Sequence, residues 1–406
     1  MSGVVIVGAG HAGGIAADAL RAQGFAGPIT LIGEETGLPY QRPPLSKGYL
    51  LGAVTAEQLF LKPANYYPVS DIRTVLGVRV DGIDRDAKTV ALSNGETVAY
   101  DALILATGAR PRMLPIAGAD LGGIHALRTL ADVDAIRKDV ETARTCAVVG
   151  GGFIGLEIAA VLAKLGKQVT IVEAIDRLMG RAVSVEISDY FLDLHRQKAS
   201  TVLLSTGVTG FAGKDGRIAR VETSNGGVEA DMAIIGIGVI PNDELARDSG
   251  LAIDRGIAVD RCGRTSDPTI YAIGDCCHLE HARYAGRIRL ESVQNAIDQA
   301  KLVAASILGR PADYAVIPWF WSDQFDVKLQ IAGLSAPEHT RLKYHDLATG
   351  GLAVYHFDED RLCAAETVNR AGDHMSARRL IAAERPTTQS DVESVGGGLK
   401  ALLKRS

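Results

Sequence analysis

At 406 residues the chain is long enough for about two or three domains, and 47% hydrophobic with 22% charged residues is ordinary for a globular protein with a large core. A net charge of −5 argues against a nucleic-acid protein, and the absence of any uninterrupted apolar run of about 18 residues argues against a membrane-spanning helix. The odd set Cys146, Cys262, Cys276, Cys277 and Cys363, without a C-x-x-C pair, predicts neither a disulfide framework nor a metal site, and suits a reducing cytoplasm.

The first predicted element is an apolar strand over Val4–Val7, and with no basic n-region or cleavable apolar segment a signal peptide is not expected. It runs into Gly8-Ala9-Gly10-His11-Ala12-Gly13 and then an Ala-rich helix pattern. Glycines at that spacing allow a tight turn, close approach of a pyrophosphate and close packing of helix on strand, and the helix N-terminus offers free N–H groups to the phosphate. A second short strand, Pro28–Gly33, ends at Glu34 and Glu35, where a carboxylate can accept the hydroxyls of an adenosine ribose. The same plan returns at Cys146–Val149, Gly150-Gly151-Gly152-Phe153-Ile154-Gly155, a helix, and the strand Gln168–Val172 ending at Glu173. Two such units predict two dinucleotides in one protein, and hence electron transfer between them.

Buried strand patterns at 101–105 and 231–235 each enter a glycine turn, and a third such turn, Ile270–Asp275, is expected to return the chain to the first domain. From about residue 320, alternating aromatic runs such as 351–357 predict antiparallel strands. Val395-Gly396-Gly397-Gly398 then leads to a short basic end expected to lie at the periphery. The predicted class is α/β: two interleaved Rossmann-like dinucleotide-binding domains, 1–110 with 241–319 and 111–240, followed by a C-terminal α+β domain, 320–406.

Five further segments carry a more specific likeness: 39–47 (PYQRPPLSK), 106–108 (ATG), 271–275 (YAIGD), 289–296 (RLESVQNA) and 318–324 (PWFWSDQ). On these the chain resembles the FAD- and NAD(P)H-dependent pyridine nucleotide-disulfide reductase superfamily, and within it the putidaredoxin reductase-like branch of ferredoxin reductases that serve P450 and aromatic-ring dioxygenase systems. The resemblance implies an NADH-dependent flavoprotein that passes electrons through FAD to a [2Fe-2S] ferredoxin. An NADH oxidase or rubredoxin reductase of the same fold, or a redox-sensing flavoprotein resembling apoptosis-inducing factor, are the alternatives. It also implies FAD contacts from Gly8, Gly10, Ala12, Gly13, Glu34, Arg42, Lys47, Val80, Thr107, Gly108, Arg128, Gly274, Asp275, Val293 and Trp319. Nicotinamide dinucleotide contacts would come from Gly150, Gly152, Ile154, Gly155, Glu173, Arg181 and Gly238.

Lys47 and Glu157 are the expected catalytic pair, Lys47 at the flavin's N5 edge and Glu157 in the first turn of the second nucleotide helix. A helix starting near Ser292 and Val293 is expected to aim its N-terminus at the flavin's electron-rich edge. Disulfide reductases of the superfamily carry C-x-x-x-x-C beside the flavin, whereas residues 42–47 here contain no cysteine, so electrons are expected to pass directly to the acceptor. The vicinal Cys276 and Cys277 read as small buried residues rather than a redox pair. Trp319 and Trp321, two apart on a predicted strand, should face one side. Arg283, Arg287 and Arg289 form a basic cluster for an acidic ferredoxin, and Arg177 and Arg181, close to Glu173, bear on the choice between NADH and NADPH.

Overall fold

A computed structural model describes residues 3–198, 200–346, 350–383 and 386–404. The chain divides into two compact units. One holds residues 1–42, 55–110 and 239–316; the other holds 43–54, 111–238 and 317–406.

In the first unit, strand Val4–Val7 lies at the centre of a five-stranded parallel sheet, between Ile29–Gly33 and Ala102–Leu105. Ile72–Leu76 and Ile270–Ala272 form the two edges. The third glycine turn therefore does rejoin the first sheet, with Ile270 beside Leu103. Parallel strands are covered on both faces, which is why Val4–Val7 and Ile29–Gly33 are apolar runs without alternation and are buried throughout. Helix His11–Ala22 presents Ala12, Ala16, Ala17 and Leu20 to the core, and such small side chains allow close packing against Ala296, Ala300, Val303 and Ala304 of helix Val293–Ile307.

The second unit repeats the plan. Strand Thr145–Val149 lies between Gln168–Val172 and Met232–Ile235, with Ser200–Leu203 and Ile124–Ala126 at the edges. Helix Leu130–Thr142 begins with a capping box: Thr129 Oγ1 accepts the Asp132 N–H and Asp132 accepts the Thr129 N–H. Such a cap contributes about 1 kcal/mol. The same unit carries an antiparallel sheet of five strands, Trp319–Gln324, Val327–Gly333, Arg361–Val368, Gly351–Asp358 and Thr340–Asp346 in that order.

Gly351–Asp358 is buried through Phe357 on both faces. Ala353, Tyr355 and Phe357 pack against helix Ala371–Ala382. On the other face His356 lies 3.4 Å from Glu366, whose carboxylate accepts from the N–H and hydroxyl of Ser184, the cap of helix Val185–Gln197. The chain end is not peripheral, as its basic composition suggested. Leu399 and Leu402 of the final 3-10 turn, Leu399–Lys404, are buried in the core of this sheet and helix. Tyr355 Oη donates to Gly397 O (2.7 Å), and Leu399 N donates to Asp373 (2.8 Å). The composition showed the charges, while the leucines decided the packing.

Candidate functional site

The first glycine loop has the shape its spacing calls for. Gly8 has φ +111°, a left-handed conformation that favours glycine, and a Cβ there would stand 2.2 Å from Ala106 O. A Cβ on Gly13 would stand 1.9 Å from Gly8 O. Gly10, in contrast, faces space whose nearest occupant is the Arg42 guanidinium, 3.6 Å from an added Cβ. An N-terminus with free amides, a cradle with no side chain in it and a cation beside it fit the pyrophosphate of a dinucleotide.

Arg42 is held there by Glu35 (2.7 Å) and by Tyr40 Oη (3.0 Å), and Tyr40 Oη in turn donates to Glu35 (2.6 Å). Arg42 keeps its charge, since Tyr40 and Glu35 outweigh its burial. Glu35 is thus committed to this triad, while Glu34, one residue earlier, is exposed and open to a ribose. His11 carries a buried Nδ1 at the same helix start, and burial followed by the nearby Arg42 lowers its pKa.

Other predicted positions in this unit take part in the framework. Thr107 Oγ1 donates to Asn242 O (2.6 Å), and Gly108 O accepts from Asn242 N (2.9 Å), so the turn at 106–108 is pinned. Gly274, at φ +77°, donates its N–H to Gln299 (2.6 Å), and a Cβ there would meet Ala12 at 3.1 Å. Asp275 follows in the 3-10 turn Gly274–Cys276, and Val80 is a buried strand start. Val293 opens helix Val293–Ile307 behind the Ser292 cap, which places a helix N-terminus where the sequence put it.

Cys276 and Cys277 are both free and buried, with their thiols pushed up by burial; one donates to Ile273 O (3.2 Å) and the other to Gln299 (3.3 Å). Neither has the character of a thiolate. The basic cluster is largely compensated: Arg287 pairs with Glu280 (3.0 Å), Arg289 with Glu291 (2.6 Å), and Arg283 donates to Ala315 O (3.1 Å).

In the second unit Gly150 has φ +105°, and a Cβ on Gly155 would stand 2.2 Å from Gly150 O, so the second loop copies the first. Gly152 is open, with Gly236 O at 3.8 Å from an added Cβ. Glu173 accepts the N–H of Gly151 (2.6 Å) and of Ile175 (3.0 Å), which fixes its carboxylate beneath the loop. Each oxygen still has a lone pair for a ribose hydroxyl. Ile154 and Arg181 are exposed, and Gly238, at φ +107°, faces open space. Arg177 is spent on the carbonyls of Val183 (2.7 Å) and Gly180. The Arg128 backbone N–H joins the cap of helix Leu130–Thr142 through Asp132.

Glu157 corrects one expectation. Helix Phe153–Lys164 has no acidic residue in its first turn, and Glu157 lies just beyond it and is buried. Its charge therefore does not serve to cap the helix dipole. It serves Lys47, whose Nζ lies 2.6 Å from Glu157 Oε2. Ser46 Oγ donates to the same oxygen (2.6 Å), and Ser322 Oγ donates to the other (2.7 Å). Three donors compensate the desolvation of the carboxylate. The two serines escaped sequence reasoning. Their signal was present, since each lies inside a motif singled out for other residues, 39–47 and 318–324.

Trp319 and Trp321 do face one side of their strand, with ring centroids 5.5 Å apart. Arg378 lies over the Trp319 ring at 4.7 Å, and His374 meets its edge.

Two loops built to the same plan on two parallel sheets, with a lysine paired to a buried glutamate and no cysteine in the 42–47 segment, define a two-nucleotide oxidoreductase. The chain belongs to the pyridine nucleotide-disulphide oxidoreductase family, whose model matches residues 2–300, and a reductase C-terminal model matches residues 319–403. It is 46% identical to rhodocoxin reductase of Rhodococcus erythropolis across 99% of this chain and 94% of that protein. The solved ferredoxin reductase for the CYP199A2 system of Rhodopseudomonas palustris superposes with a TM-score of 0.96 at 39% identity, covering 99% of this chain and 100% of that one. Putidaredoxin reductase in its covalent complex with putidaredoxin gives a TM-score of 0.95 at 37% identity, covering 99% and 98%. Among the described residues no helix is long and apolar enough to cross a membrane.

Proposed function

We propose that this protein is an NADH-dependent, FAD-containing reductase that delivers electrons to a [2Fe-2S] ferredoxin, and through it to a P450 or ring-hydroxylating oxygenase. Bound FAD supplies the two-electron to one-electron conversion between a nicotinamide and an iron–sulfur centre. The observation that carries the reading is the thiol-free segment 42–47, in which Lys47 is paired with Glu157 where disulfide reductases of this superfamily place cysteines.

The chain's own residues then have distinct tasks. In this reading, domain 1–110 with 241–319 takes FAD. Gly8, Gly10, Gly13 and the helix His11–Ala22 receive its pyrophosphate, with Arg42 adding charge. Glu34 takes the adenosine ribose. The N-terminus of helix Val293–Ile307 stabilises negative charge at the isoalloxazine edge. Domain 111–240 takes NADH through Gly150, Gly152, Gly155 and Glu173, with Lys47 and Glu157 serving the hydride step. Domain 320–406 and the arginines 283, 287 and 289 contribute to the ferredoxin side. Five cysteines free of disulfides agree with a cytoplasmic location.

Anaerobic mixing with NADH, followed by a second mixing with [2Fe-2S] ferredoxins, tests the reading. Ferredoxin reduction should outpace reaction with oxygen by a wide margin. Oxygen consumption without ferredoxin at an equal rate makes the protein an oxidase.

A further inference from the structure

The Lys47–Glu157 pair is the end of a longer line of buried polar groups. Ser322 Oγ, which donates to Glu157 Oε1, accepts from Gln324 Nε2 (3.2 Å), and Gln324 Oε1 lies 3.0 Å from His195 Nε2. His195, Gln324 and Ser322 are fully buried and Glu157 nearly so.

The direction of each bond follows from donor chemistry. A carboxylate only accepts, so Ser322 gives Glu157 its single proton and takes an amide N–H from Gln324. The second Gln324 N–H points to Met179 Sδ at 3.9 Å. The Gln324 carbonyl therefore faces His195, which must carry its proton on Nε2 and leave Nδ1 as a buried acceptor with no hydrogen-bond partner. Burial lowers the His195 pKa and keeps the ring neutral, in agreement with that assignment. The opposite amide orientation would set a carbonyl against Ser322, draw away its proton and leave Glu157 Oε1 short of a donor.

We infer that Ser322 and Gln324 are positioning residues of the reductase: a one-way line of donors from His195 through Gln324 and Ser322 locks the Glu157 carboxylate, and so fixes Lys47. This rests on the assignment of Lys47 and Glu157 to the hydride step. It gives the strand Trp319–Gln324, in the C-terminal part of the chain, a share in the nicotinamide half-reaction.

The test uses holoenzyme carrying Ser322→Ala, Gln324→Met or Ser322→Thr, and two readouts. One is the limiting rate of anaerobic flavin reduction, separated from the NADH dissociation constant. The other is acetylation of Lys47 by limiting acetic anhydride, measured by peptide mass spectrometry against the exposed Lys88. Ser322→Ala should slow the limiting rate about tenfold, change NADH binding by less than about twofold and acetylate Lys47 about threefold faster. Gln324→Met should move both readouts the same way by less, and Ser322→Thr, which keeps the hydroxyl, should restore them. Parental rate and parental labelling in Ser322→Ala overturn the inference. If that variant does not fold, parental values in Gln324→Met overturn it. Faster labelling with an unchanged rate upholds the positioning line and instead overturns the assignment of the pair to hydride transfer.

Discussion

Replacing Glu157 by Gln removes a charge while leaving the shape and most hydrogen bonds of the site in place. The amide oxygen can still accept from Lys47 and Ser46, and Ser322 can turn to accept from the new N–H. What is lost is the attraction across 2.6 Å between a carboxylate with 7% side-chain exposure and an ammonium with 23%. A hydrogen bond to a charged group contributes about 1.5–3 kcal/mol. At about 1.4 kcal/mol per factor of ten, that range spans roughly 10- to 150-fold in rate. The partial exposure of Lys47 lets water recover part of the loss, so the lower end, about 10- to 30-fold, is expected for the limiting rate of anaerobic flavin reduction. The NADH dissociation constant should change little, because the pair orients reacting groups rather than the dinucleotide phosphates. A limiting rate within about threefold of the parent, in a variant with full FAD occupancy, refutes the role given to the pair.

Four further outcomes are expected. The kcat/KM for NADH should exceed that for NADPH by at least about tenfold, because Glu173 is fixed by two backbone amides and would meet a 2′-phosphate as a like charge; equal values refute this. The double variant Cys276→Ser, Cys277→Ser should keep NADH-driven flavin reduction per bound FAD, and its loss would place the thiols in the mechanism. Gly13→Ala should yield protein largely stripped of FAD, measured by the flavin-to-protein absorbance ratio, because the added carbon lies 1.9 Å from Gly8 O. His374 is buried, and burial followed by Arg378 lowers its pKa to about 4, so stability is intact above the ordinary 6.5 and is lost as pH falls from there towards about 4. The His374 contribution to urea stability across that window is roughly 3 kcal/mol, and His374→Phe should flatten it.

Much of the fold was legible because its signals are local. Apolar strands, glycine loops and terminal carboxylates at 4–35 and 146–173 each lie within one βαβ unit, and the structure forms both. The return of Ile270–Ala272 to the first sheet was legible for the same reason, as the third copy of a strand-and-glycine pattern. Contacts far apart in sequence were less so. Ser322 meets Glu157 across 165 residues and Glu366 meets Ser184 across 182, and no local pattern names either serine's partner, although Ser322 lies inside the 318–324 motif. The basic cluster was legible as well: the arginines at 283–289 stand out in the sequence, and geometry adds that two of them pair with nearby acids, Glu280 and Glu291.

The position of Leu399 and Leu402 sets an order on the birth of this core. Both leave the ribosome after the sheet and helix they cover, which cannot complete their core until these leucines emerge. Closure of that region must wait for residue 402 to be synthesised, and a chain cut just before Leu399 has every nucleotide-loop glycine present and an open hydrophobic face, a ready substrate for the cell's proteases.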